Sequence, residues 1–165
     1  MLRAHWCMAA FHAKARRMTP AARLTAVIEV LDDLERRPRP LNDALKDWAL
    51  SHRFAGSGDR AAIGAMTHDA LRRRASSRWI MEGDSARATA LGMLKAARNM
   101  DADAVAALCD GSRFAPTPLS EAEWRALESR DLAAAPPAVR GDIPHWLMPE
   151  FEQAFGADAG AEGEA

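Results

Sequence analysis

The chain is predicted to be all-α, a single bundle of about six or seven helices. Three observations predict this. Apolar residues recur at three- and four-residue steps along most of the sequence, and no useful stretch alternates with the two-residue period of a strand. Tyr is absent, Val and Ile are scarce and Ala is abundant, a composition that favours helix over strand. Pro, Gly and capping residues punctuate the pattern at short intervals, as short connections between helices require.

With 165 residues and 48% hydrophobic content, the chain has enough apolar material for one domain-sized core. Residues 1–17 contain no acid and read as a disordered leader, of transit-peptide type or ahead of a natural start at Met18. Residues 18–156 form the helical domain. Residues 157–165 hold only Gly, Ala and acids and read as a solvated tail.

The elements follow in order. Thr19 suits an N-cap and Pro20 the first helical position, where a missing N–H costs nothing. Leu24, Val27, Ile28, Leu31 and Leu34 then make one apolar stripe, which Pro38 and Pro40 end. A second helix is expected from Leu41 to His52, burying Leu41, Leu45, Trp48 and Ala49. After a Gly-containing loop, Ser57 or Asp59 is expected to cap a third helix with Ile63, Met66 and Ala70 inward. That helix either runs on to Trp79-Ile80-Met81 or bends near Ala75-Ser76-Ser77. A further helix carries Ala88, Leu91, Leu94 and Ala97. Asp101 caps a short one with Val105 and Leu108, and Gly111 stands where a left-handed residue is wanted. Ser120 and Glu123 have the spacing of a capping box ahead of Trp124 and Leu127. Residues 133–144 read as an irregular linker. A last helix, His145 to Phe155, is expected to turn Trp146, Leu147, Phe151 and Phe155 inward.

The formal net charge of -1 conceals a split. Residues 1–100 hold 18 Lys+Arg against 10 Asp+Glu, while residues 101–165 hold 4 against 13. A basic front half is suited to a polyanion. Two unrelated cysteines, Cys7 and Cys109, and no apolar run near 20 residues point to a reducing, cytoplasmic setting and no membrane contact.

No catalytic residue is expected in this chain, nor a metal or cofactor site. There is no Gly-rich turn following a strand, as a nucleotide or methyl-donor site needs. His5, Cys7 and His12 match no standard metal-ligand spacing. His68 and Asp69 are adjacent on a helix, about 100° apart, and cannot form a relay. Cys109 beside Leu108 reads as a small core residue. Trp48, Trp79, Trp124 and Trp146 sit at helical core positions and are expected to pack inward rather than stack on bases.

The arginines are different. Arg72, Arg73 and Arg74 fan around a helix axis, with Arg78 one turn on and Arg60 at the helix start. Together they form a predicted basic girdle whose planar, permanently charged guanidinium groups suit RNA phosphates.

Gly58-Asp59-Arg60-Ala61 to Leu71-Arg72-Arg73-Arg74 resembles a helix in the N-terminal domain of the Sun group of bacterial rRNA cytosine-C5 methyltransferases. Thr19-Pro20-Ala21-Ala22-Arg23-Leu24 is similar to that domain's beginning. Pro144-His145-Trp146-Leu147 with Phe151, Phe155 and Gly156 is similar to the helix that joins it to the catalytic domain. The matches span about Thr19 to Gly156. The resemblance implies a NusB-like helical fold that holds structured rRNA for a catalytic domain using S-adenosylmethionine and two cysteines. Cys7 and Cys109 match neither cysteine motif, so this chain is expected to be inactive alone. Two other readings stay open: a stand-alone NusB-like antitermination factor, and a protein-interaction module with no nucleic-acid role.

Overall fold

A computed structural model describes residues 17–156 and Ala159. The leader and the acidic tail lie outside the described residues. Among the described residues there are nine α-helices, two short 3-10 turns and no strand. The helices are α1 (Pro20–Arg36), α2 (Leu41–Ser51), α3 (Ser57–Arg72), α4 (Arg74–Met81), α5 (Ala86–Arg98), α6 (Ala102–Leu108), α7 (Glu121–Ser129), α8 (Pro137–Arg140) and α9 (Met148–Phe155). The all-α expectation holds. The residues read as an irregular linker contain the 3-10 turn Leu132–Ala134 and the four-residue α8. No helix among the described residues is long and apolar enough to cross a membrane.

The bundle is organised around α5. A helix that is apolar on all sides belongs inside, and α5 buries an unbroken run from Ala88 to Leu94. It packs most extensively on α4 and also touches α1 and α3. Leu24, Val27 and Leu31 of α1, Ile63 and Met66 of α3, Ile80 of α4, Val105 of α6 and Leu127 of α7 close the core around it.

Local side-chain capping marks four of the nine helix starts among the described residues. Thr19 accepts from the Ala22 N–H, Ser85 from Ala88 and Asp101 from Ala104. Ser120 and Glu123 form the full reciprocal box at α7. Lys95 of α5 donates to the carbonyls of Leu127 and Arg130 at 2.6 and 2.7 Å, satisfying acceptors that the end of α7 would otherwise leave open.

One capping expectation is corrected. Gly56, not Ser57 or Asp59, is the N-cap of α3, and no side chain caps it. The Asp59 carboxylate instead turns inward, 4% exposed, and accepts from Arg23 of α1 at 2.7 Å and from the Met18 N–H at 3.2 Å. It fastens the first turn of α3 to the first turn of α1. Burial pushes this carboxyl up, but Arg23 and the Met18 N–H outweigh that and hold its pKa below the ordinary value.

A pH dependence follows. A carboxyl whose folded pKa lies below its unfolded value, about 3.9, contributes fully above that value. The contribution is lost as pH falls through the lower folded value. Asp59→Asn is expected to cost about 2–3 kcal/mol at neutral pH. The gap between the urea midpoints of wild type and variant should then close below about pH 4. A gap that stays constant down to pH 2.5 contradicts the pairing.

The C-terminal expectation is also corrected. His145–Leu147 is a 3-10 turn, and α9 begins only at Met148. Trp146 is 74% exposed and Phe155 45%, so neither faces inward. The principal contacts of α9 are with the turn that precedes it. An amphipathic stripe needs a surface to cover, and α9 meets little of one.

Candidate functional site

Helix phase decides which arginines reach solvent. Ile63, Met66, Thr67 and Ala70 bury one side of α3. Ala61, Ala65, His68 and Arg72 are exposed on the other, and Arg60 is exposed beside the buried side, at the start of the helix. Arg60, Gly64, His68 and Arg72 follow four-residue steps, a ridge that drifts slowly round the axis, about 40° per step. The two arginines at its ends are about 18 Å apart along the helix.

The single-helix girdle does not form as expected. The helix stops at Arg72 and restarts at Arg74, with Arg73 at φ -105 and ψ 31 between them. The break comes just ahead of Ala75-Ser76-Ser77. A residue 66 positions away meets the first turn of α4. Asp142, in a left-handed conformation at φ 49, accepts from the Ser76 N–H at 2.9 Å and from the Ser76 hydroxyl at 2.7 Å. The carboxylate thereby satisfies a free N–H of the first turn of α4, whose N-cap residue, Arg73, makes no side-chain cap bond.

The five arginines divide accordingly. Arg78 is the most committed: it donates to Glu35 of α1 at 2.5 Å and to the Thr89 hydroxyl of α5 at 3.1 Å, with Asp84 at 3.6 Å. It is a structural tie among three helices. Arg74 stands 3.8 Å from Glu35 and Arg73 stands 3.7 Å from Asp142. Ion pairs that long, with side chains 50% and 32% exposed, are weak. Arg60 and Arg72 are exposed and have no carboxylate partner among the described residues.

Further cations border this face. Lys46 of α2 and Arg53 in the α2–α3 connection are exposed and likewise have no carboxylate partner among the described residues. Other basic residues are occupied: Arg36, Arg37 and Arg39 pair with Asp32, Asp33 and Asp47, Arg98 with Asp69, and Arg87 with Glu123. Four of the cations without a carboxylate partner among the described residues, Lys46, Arg53, Arg60 and Arg72, thus lie on α2, α3 and the turn between them, where exposed Asp43 of α2 is likewise without a cation partner; Arg17, Arg113 and Arg125 lie elsewhere.

Phe54 lies in that turn and is 67% exposed. The Ala55 N–H donates to the His52 carbonyl at 3.0 Å, and Ala55 is buried, so Arg53 and Phe54 form the tip. Sequence reasoning placed a loop here but passed over its aromatic ring. An unpaired Phe among cations, outside any helical stripe, was the available signal.

Several other described side chains that could do chemistry have structural partners. His52 stacks on Trp48 at 4.3 Å, with Nδ1 2.9 Å from the Trp48 carbonyl, so it closes the end of α2. Cys109 is 2% exposed, and burial pushes its thiol up, away from the reactive thiolate. A shallow cleft of about 570 Å3 between α5, α6 and α7 contains Lys95, whose ammonium is held by two carbonyls. No cluster of three or more His, Cys, Asp or Glu side chains that could hold a metal occurs among the described residues. His5, Cys7 and His12 lie outside them. Trp48 and Trp124 pack partly buried against the core, and Trp79 lies under the Arg130 guanidinium at 5.1 Å. Trp146 alone of these four departs from the inward expectation. Compared with known protein families, curated proteins and solved structures, the chain matches none.

Proposed function

We propose that this chain is an RNA-binding helical domain that positions rRNA for the catalytic domain of an S-adenosylmethionine-dependent cytosine methyltransferase. The observation that carries the proposal is the pair Arg60 and Arg72, exposed on α3 and uncompensated by any carboxylate among the described residues. Guanidinium groups left free on a surface favour an external anion. The motif residues support the same reading in different ways. Asp59 and Arg78 hold the helices in place, while Arg60 and Arg72 face outward. Arg73 and Arg74 are loosely held and able to exchange a carboxylate for a phosphate.

The exposed Trp146 and Phe155 leave an apolar edge at the end where the resemblance places the catalytic domain. In this reading the chain contributes positioning through phosphates rather than base chemistry, and the setting is cytoplasmic. The test is a titration of the full chain with a structured rRNA fragment at several salt concentrations. Affinity should fall steeply between 50 and 200 mM salt, as counterion release requires. Affinity that is absent, or indifferent to salt, rejects the proposal and favours the protein-interaction reading.

A further inference from the structure

We infer that Phe54 is a stacking platform for an unpaired base, so that the RNA taken by this face is single-stranded or looped where it meets the α2–α3 turn. The inference rests on the RNA-binding reading and sharpens it.

The ring is placed for contact rather than for packing. Phe54 is 67% exposed at the tip of a turn whose base is anchored by buried Ala55. Its inner edge meets the His52 ring at 5.7 Å and 78°. His52 in turn stacks on Trp48 at 4.3 Å and 9°, and the Trp48 indole N–H donates to Glu29 at 2.8 Å. Two rings and a carboxylate therefore stand behind Phe54. The support is rigid and the outer surface of Phe54 is open.

The surroundings select the partner. Arg53 is the neighbouring residue at the tip, Arg60 lies in the second turn of α3, and Lys46 lies on exposed α2. None has a carboxylate partner among the described residues. Glu29, whose carboxylate accepts from the Trp48 indole N–H, lies on the far side of the rings from Phe54 along this chain of contacts. Leu50, 57% exposed, extends the apolar surface beside the turn. A large apolar ring left in water forgoes the stabilisation that burial would give it. A ring bordered by free cations matches a ligand with a flat apolar face and a negative backbone, which is a nucleotide strand. Bases inside a duplex have both faces covered by their neighbours, and only an unstacked base presents one. Such stacking tolerates any base.

The test uses the full chain with three probes: an RNA hairpin with an unpaired loop, a blunt RNA duplex and an oligoglutamate peptide. Phe54 is exposed, so Phe54→Ala leaves the fold intact, which circular dichroism verifies. Phe54→Ala should weaken hairpin binding roughly 10-fold. Its salt dependence and its affinity for the duplex should be unchanged. Phe54→Leu, apolar but without a π face, should behave like the alanine variant, and Phe54→Trp should bind at least as well as wild type. Equal hairpin affinity for wild type and Phe54→Ala overturns the platform while the salt-dependent RNA binding still stands. No salt-dependent binding of either RNA by wild type overturns both readings. Oligoglutamate binding as tight as the hairpin, and equally sensitive to Phe54→Ala, overturns the platform in favour of an acidic protein partner.

Discussion

Gly92→Ala is expected to destabilise the protein by about 3 kcal/mol or more, a fall in melting temperature of roughly 10 °C for a domain of this size. Gly92 lies in the central helix, where α5 meets α4. A Cβ added there would lie 2.2 Å from the Ser77 carbonyl oxygen, 2.6 Å from its Cα and 2.7 Å from its carbonyl carbon. All three are backbone atoms, so no side-chain rotation relieves the clash and the two helices must separate. Ser76, Ser77 and Ala88 are buried in the same region, and small side chains are what allow backbones this close. Gly58→Ala is the control: nothing lies within 4 Å of its added Cβ, and stability should stay within about 0.5 kcal/mol of wild type. Thermal and urea denaturation followed by circular dichroism read both. Equal melting of Gly92→Ala and wild type would mean that α4 and α5 do not pack as described.

Charge reversal at Arg60 and Arg72 is expected to have the largest effect on binding. Each guanidinium is free to make charge-assisted hydrogen bonds to a phosphate. Arg60→Glu with Arg72→Glu should weaken RNA binding about 100-fold at low salt. The slope of log affinity against log salt should become shallower by about 1.5, the share of two phosphate contacts. Stability should barely change, because neither side chain has a carboxylate partner among the described residues to lose. Arg78 behaves differently. It ties α1, α4 and α5 through Glu35 and Thr89, so its loss would act through the fold. Arg73 and Arg74 fall between these extremes, their ion pairs at 3.7 and 3.8 Å being weak.

What was legible in the sequence was local. The Thr19 cap, the Asp101 cap and the capping box at Ser120 depend on residues three apart and could be read directly. The buried side of α3 followed from its period. What escaped was non-local. Asp59 looks like a capping residue until Arg23 is brought beside it from 36 positions away. The first turn of α4 meets Asp142 from 66 positions away, and the occupation of Arg78 depends on Glu35. Gly92 reads as an ordinary helical glycine until α4 is laid against it. Trp146 and Phe155 follow an amphipathic pattern, but a pattern does not say whether a surface is present to receive it. At the candidate site, charge and phase were readable while pairing was not, because pairing depends on where distant carboxylates come to rest.

The central claim is that the free guanidinium groups of α3, rather than the paired ones beyond the break, hold a phosphate backbone. The most direct measurement compares the salt dependence of rRNA-fragment binding for wild type and for the Arg60→Glu, Arg72→Glu variant, both with unchanged circular dichroism. A slope shallower by about 1.5, with the loss of affinity described above, is the predicted result. Superimposable salt titrations of the two proteins would contradict it.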